Sequence, residues 1–188
     1  LLLVGCIPQI KLEHASPPMK ETLGKGKIVL GTINNLREKG LGQDNFELLG
    51  VVRGGFGNPI RFYTEEGYGV NIALNRLLKD ALFVSGYEVQ ASGSGGNMGI
   101  LEADVFTFWS DGYTSYNIAS KIILRIFSYD KRSVLLEKEL KNVTEVGLGS
   151  PGNFNSAYQI LMNEIFKDSV DFFRSEEFKK ALERMKVS

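Results

Sequence analysis

The sequence predicts an α+β domain: a mostly antiparallel sheet with two main helices packed on one face, plus a short C-terminal helix. Three observations carry that prediction. Apolar residues recur every three or four positions over 70–82 and again over 154–172, the period of an amphipathic helix. Between the two helices, apolar residues alternate with polar ones in consecutive runs separated by turn residues, the pattern of an antiparallel meander covered on one side. The chain has 188 residues, of which 43% are hydrophobic, so it can bury one core of ordinary domain size.

The elements follow in order. Lys27 to Ile33 is a β-branched run closed by Asn34-Asn35 and reads as the first strand. Residues 46–53 and 60–63 read as two further strands around the turn Gly54-Gly55-Phe56-Gly57-Asn58-Pro59. Val70, Leu74, Leu77, Leu78, Ala81 and Leu82 form one helical stripe, with Asn71, Asn75, Arg76, Lys79 and Asp80 largely opposite, and Gly86 ends the helix. Tyr87-Glu88-Val89 is a short strand, and Ser92 to Asn97 a Gly-rich connection. The meander then takes 100–109, 116–126 and 134–140; Tyr116, Ile118, Ile122, Leu124 and Ile126 share the face to be covered. Phe154, Ala157, Tyr158, Leu161, Ile165, Ser169 and Phe172 form the second stripe, and Ser175 is placed to cap a last helix whose first turn holds Glu176 and Glu177.

Composition narrows the chemistry. Lys+Arg and Asp+Glu both number 22, so no cationic excess exists to displace counterions from a phosphate backbone, and no nucleic-acid partner is expected. With one histidine, His14, and one cysteine, Cys6, the chain supplies no His/Cys metal cage and no internal disulfide; neither a metal nor another cofactor is expected. Gly147-Leu148-Gly149-Ser150-Pro151-Gly152 spells G-x-G-x-x-G between a strand and a helix. A dinucleotide fold needs a further parallel strand after that helix, ending in an acid for the ribose, and here a charged helix follows. The other glycine clusters lack the Lys-Ser/Thr of a phosphate loop. Glu65-Glu66 are neighbours that point apart, and Glu102 and Asp104 share one strand face, so neither pair faces across a cleft as acid/base chemistry requires. No enzyme is expected. Phe106, Phe108, Trp109, Tyr113 and Tyr116 gather about the hairpin Ser110-Asp111-Gly112. Trp109 and Tyr113 there are candidates for partner binding, with cross-strand packing as the alternative.

The N-terminal stretch carries the most specific motif. Leu3-Val4-Gly5-Cys6 resembles the lipobox of bacterial lipoproteins: Leu, an aliphatic or small residue, Gly or Ala, then Cys. The resemblance implies cleavage between Gly5 and Cys6, a lipid on the Cys6 thiol and acylation of the new terminus. Several chains on one cysteine hold a protein where a single chain would not. The alternative is a buried cysteine after an apolar strand. On the lipobox reading, residues 1–5 are a signal-peptide remnant, 6–26 a lipid-anchored flexible tether containing His14 as a solvated side chain, and 27–188 a single envelope domain. Ile7 stands where an Asp would favour inner-membrane retention, which points to the outer membrane.

Tyr116-Asn117-Ile118 with Lys121 and Ile123, a hairpin, Lys138, then Phe154, Asn155-Ser156 and the helix from Ile160 to Val170, resembles the YajG-like bacterial lipoproteins. The likeness covers 100–170 well and 27–90 in outline; the longer segment at 41–66 and the helix after Ser175 depart from it. It implies a place in the cell envelope and no reaction; with Ile7, the location expected is the outer membrane, on its periplasmic side. The expected function is non-enzymatic binding of another envelope component, with an auxiliary lipoprotein of a transporter or envelope-assembly complex, binding lipid or glycan, as the alternative. The partners expected are the membrane, through the anchor, and an envelope protein.

Overall fold

The computed structural model describes residues 9–15, 26–53, 59–90, 98–112, 116–130, 132–146 and 152–184. In chain order they form β1 (Gln9–Ile10), β2 (Gly26–Asn35), β3 (Leu48–Arg53), β4 (Pro59–Thr64), α1 (Val70–Val84), β5 (Tyr87–Gln90), β6 (Gly99–Gly112), β7 (Tyr116–Phe127), β8 (Val134–Val146), α2 (Gly152–Arg174) and α3 (Glu176–Arg184). Both helical stripes and the meander lie where the periodicity puts them. Ser175 Oγ accepts from the Phe178 N–H at 3.2 Å, the cap that starts α3. Gly86, at φ 92°, closes α1 in the left-handed conformation that glycine enters without a Cβ penalty.

The eight strands make one mixed sheet, and here the expectation of a mostly antiparallel sheet is corrected. Four pairings are parallel: β1 with β4, β2 with β5, β2 with β6, and β3 with β6. Three are antiparallel: β3 with β4, and the two long ladders β6 with β7 and β7 with β8. Alternation along a strand shows which residues are covered and says nothing of a neighbour's direction, so the meander was legible and the parallel partners were not.

Strand β6 is the spine. One edge pairs with β7 from Ile100 to Gly112. The other edge is divided between two strands: β2 takes Gly99 to Val105, and β3 takes Ser110 to Gly112. A register shift between Val105 and Thr107 changes which alternate residues point to the core, from Leu101, Ala103 and Val105 to Phe108. These residues meet Ile118, Ile122, Leu124 and Ile126 of β7, the apolar stripe of α1, and Tyr158, Leu161, Met162 and Ile165 of α2 in one cluster. Each large aliphatic side chain buried there contributes about 1.5–3 kcal/mol. The Tyr158 hydroxyl donates to the Leu49 carbonyl at 3.1 Å and its ring stacks on Phe108, tying α2 to the junction of β3 and β6.

Arg37 fills the gap between β2 and β3. Its side chain is fully buried, and its guanidinium donates to four neutral oxygens: Nε to Asn35 Oδ1 at 2.9 Å, Nη1 to the carbonyls of Leu48 at 2.8 Å and Phe108 at 3.2 Å, and Nη2 to the Asn45 carbonyl at 2.8 Å. The Phe46 ring lies 5.8 Å from the guanidinium carbon. Burial lowers the Arg37 pKa to about 10, which leaves it a cation at neutral pH. Gly42 has φ +96°, and a Cβ there would stand 2.6 Å from the guanidinium. The Leu36 N–H completes the junction by donating to the Val105 carbonyl at 2.9 Å.

The stretch expected to be a flexible tether is in part built into the fold. β1 extends the sheet beside β4, and Ile10 and Leu12 are buried in the core. The Lys11 and Ala15 N–H groups donate to the side chains of Asn155 and Asn163 on α2, at 3.3 and 2.7 Å. His14 is not solvated. It is buried with its ring stacked on Phe166, centroids 4.8 Å apart, and Nε2 approaches Asp80 Oδ2 at 3.2 Å without the alignment of a hydrogen bond. Burial pushes its pKa below the ordinary value, and the Asp80 carboxylate opposes that shift.

Three outcomes are expected. Arg37→Leu strips a charged donor from buried carbonyls and is expected to cost at least about 3 kcal/mol in urea denaturation. Gly42→Ala is expected to destabilise through the same contact, and an unchanged midpoint for both would contradict the role given to the junction. For His14, the unfolded chain binds a proton that the folded chain resists, so its contribution is whole above about pH 6.5 and is lost as pH falls toward the folded-state value. The urea midpoint of the wild type is expected to fall across that window more steeply than that of His14→Phe, which keeps the ring stack.

Candidate functional site

The chemistry-bearing residues singled out in the sequence are scattered. Gly5, Cys6 and Tyr113 lie outside the described residues, as do 54–58, 91–97 and 147–151 of the glycine clusters. Trp109 is nine-tenths buried, alternates with the core residue Phe108 and lies opposite Ala119 of β7. That places it on the sheet face turned away from the helices, outside the main core cluster. Its indole Nε1 is buried without a hydrogen-bond partner.

The carboxylates Glu102 and Asp104 share that same face, and both are engaged. Asp104, 7% exposed, accepts from Asn34 Nδ2 at 2.8 Å and is paired with Arg125. Arg125 also donates through Nε to Glu137 at 2.7 Å, and these hydrogen bonds, Glu137's first, raise its pKa above the ordinary value. Glu102 accepts from Thr32 Oγ1 at 3.4 Å. The network ties β2, β6, β7 and β8 together across the sheet, a structural task for groups that sequence alone leaves as an acid pair. Among the described residues, no group of three or more His, Cys, Asp or Glu could hold a metal.

The structure also shows a site that sequence reasoning did not pick out. A groove of about 540 Å³ runs between β2 and α1, of a size that takes a small ligand. Thr32 and Ile33 form its sheet side. Asn71, Ile72, Asn75, Arg76, Lys79 and Asp80 form its helix side. Ile72 is 46% exposed, so an apolar patch lies beside two amides and two cations. Asp80, at one end, faces His14, and Arg76 lies 5.9 Å from the Tyr68 ring centroid. Amides and cations beside an apolar surface can hold an anionic or polyhydroxyl group with an apolar tail. These residues are the polar side of the α1 stripe, a pattern that any solvated helix face shares, so no sequence signal separates them.

Among the described residues, no helix is long and apolar enough to cross a membrane. The chain matches no family model and no curated protein, so the YajG-like resemblance is not established as membership. Its fold does have solved counterparts in bacteria. A Helicobacter pylori homolog of a neuraminyllactose-binding hemagglutinin aligns over 96% of this chain and 100% of its own, with TM-score 0.54 and 7% identity. Protein XCC0632 from Xanthomonas campestris, assigned to the family DUF330, aligns over 96% and 92%, with TM-score 0.53 and 10% identity. The hypothetical protein CT253 from Chlamydia trachomatis aligns over 82% and 98%, with TM-score 0.51 and 13% identity. At these identities the likeness is one of fold: this chain is similar in architecture to bacterial proteins of diverse sequence.

Proposed function

We propose that the chain is a bacterial cell-envelope lipoprotein, anchored through a lipid on Cys6, whose α+β domain binds another envelope component and catalyses no reaction. The observation that carries the reading is the run Leu3-Val4-Gly5-Cys6, which meets the lipobox pattern at every position and stands directly ahead of the folded domain. The bacterial proteins that share the fold are consistent with it. A binding role is supported by how the structure employs its titratable groups: His14 faces Asp80 under a ring stack, and Asp104 is tied to Asn34 and Arg125. Ile7 after the cysteine favours the outer membrane, with the domain on the periplasmic side. Tyr113 remains a proposed partner contact, whereas the burial of Trp109 favours the cross-strand packing alternative.

A second reading is favoured by one observation, the groove between β2 and α1. An auxiliary lipoprotein of a transporter or assembly complex that handles lipid or glycan needs such a groove between helix and sheet, lined as this one is by amides, cations and an exposed isoleucine.

One preparation tests both readings. Full-length precursor, wild type and Cys6→Ala, is extracted from membranes in detergent after cross-linking and analysed by mass spectrometry. The wild type is expected to begin at an acylated Cys6 and to retain envelope partners that Cys6→Ala loses. An unmodified Cys6 and a protein soluble in both forms would overturn the anchored reading. A lipid or glycan that stays with the wild type and leaves Arg76→Glu/Lys79→Glu would favour the second reading; the same ligand content in both would count against it.

A further inference from the structure

We infer that the domain meets the membrane with the end of the sheet at which β4 begins, placing Ile60 and Arg61 at the lipid headgroups. The inference rests on the anchored reading and adds which side of the domain the bilayer faces.

Cys6 stands three residues before Gln9, and an extended chain covers at most about 3.6 Å per residue, so the anchor lies within about 11 Å of β1. β1 cannot swing away cheaply, because Ile10 and Leu12 are buried and Lys11 and Ala15 are hydrogen bonded to α2. Direction follows from register. β1 runs parallel to β4, with Gln9 opposite Tyr63, so the N-terminal end of β1 faces the Pro59 end of β4. Arg53 of β3 pairs with Pro59 there, and Gly112 of β6 pairs with Val52 and Tyr116. Val146 of β8 pairs with Tyr116, so the ends of β3, β6 and β8 share one side of the molecule with the start of β1, the side from which a lipid on Cys6 would reach.

The described side chains at this end suit a lipid surface. Ile60 is 49% exposed, and Arg61 is exposed and makes no ion pair among the described residues. An apolar side chain enters the headgroup boundary, and a cation beside it is drawn to anionic lipid. The turn between β7 and β8, with Tyr129 56% exposed, lies at the opposite end of β6. Fourteen residues of strand separate the two ends, about 45 Å.

The test uses mature lipidated protein in phosphatidylethanolamine/phosphatidylglycerol vesicles that contain nitroxide-headgroup lipid. Cys6 is the one cysteine, and its sulfur carries the lipid, so Ile60→Cys or Tyr129→Cys accepts a fluorophore alone. Quenching is expected to be several-fold stronger at position 60 than at 129. Equal quenching, or stronger quenching at 129, would overturn the inference while leaving the anchor in place. Inserting about ten Gly/Ser residues between Pro8 and Gln9 adds roughly 17 Å of root-mean-square reach. It is expected to lower the signal at 60 while the protein still floats with the vesicles, and an undiminished signal would overturn the anchor's reach as the cause of the contact. If wild type neither floats nor carries lipid on Cys6, the anchored reading fails and this inference falls with it.

Discussion

A single buried guanidinium fills the junction between the two halves of the sheet that β6 joins. β6 offers one edge to β2 and then to β3, and between those partners that edge has no strand beside it. Buried carbonyls without donors are costly, so the gap must be filled. Arg37 does this from the end of β2, reaching the Phe108 carbonyl on β6 and those of Asn45 and Leu48 at the start of β3. Its planar fork of donors suits several acceptors at once, which a lysine's single ammonium does not. The glycine at 42 and the side chain of Asn35, which donates to the carbonyls of Gly42 and Gln43 at 2.8 Å each, wrap the loop around it. Gly50 has a related duty, since a Cβ there would come within 2.3 Å of the Ser110 backbone oxygen where β3 meets β6.

That junction gives mechanical meaning to the N-terminal arm. β1 belongs to the half of the sheet formed with β3 and β4, while the groove between β2 and α1 belongs to the other half. α2 spans both, with Phe154 stacked on Phe62 of β4 at one end and Arg174 donating to the Val84 carbonyl of α1 at the other. On the proposed anchoring, a lipid on Cys6 would hold a rigid body rather than a domain on a leash. The groove and the outer sheet face would then keep a set height and orientation above the surface.

What was legible in the sequence follows from which physical signals are local. The α1 and α2 stripes, the cap at Ser175 and the alternation of 116–126 depend on residues close in the chain, and all are found. The parallel pairings depend on distant segments and leave no local pattern. Arg37 reads as one more surface cation until the fold closes over it. The arm was misread because Pro8, Pro17 and Pro18 mark a linker, while the one contrary sign, apolar Ile10 and Leu12 at strand spacing, is too short to count alone. The same prolines make His14 read as a solvated linker side chain. Trp109 was weighed as an exposed anchor because of its place near a turn, and only the register shift in β6 decides which face it joins.

The central claim is that the half of the sheet formed by β1, β3 and β4 and the groove-bearing half are one cooperative unit locked at Arg37. Native-state hydrogen exchange tests it most directly, by comparing the amides of β3 at Gly50 to Val52 with those of β2 at Ile28 to Leu30. The account predicts that both sets exchange only through global unfolding, with the same opening free energy and the same dependence on denaturant. A lower opening free energy confined to β1, β3 and β4 would contradict it, because the anchor would then hold a part that can open while the rest of the domain stays folded.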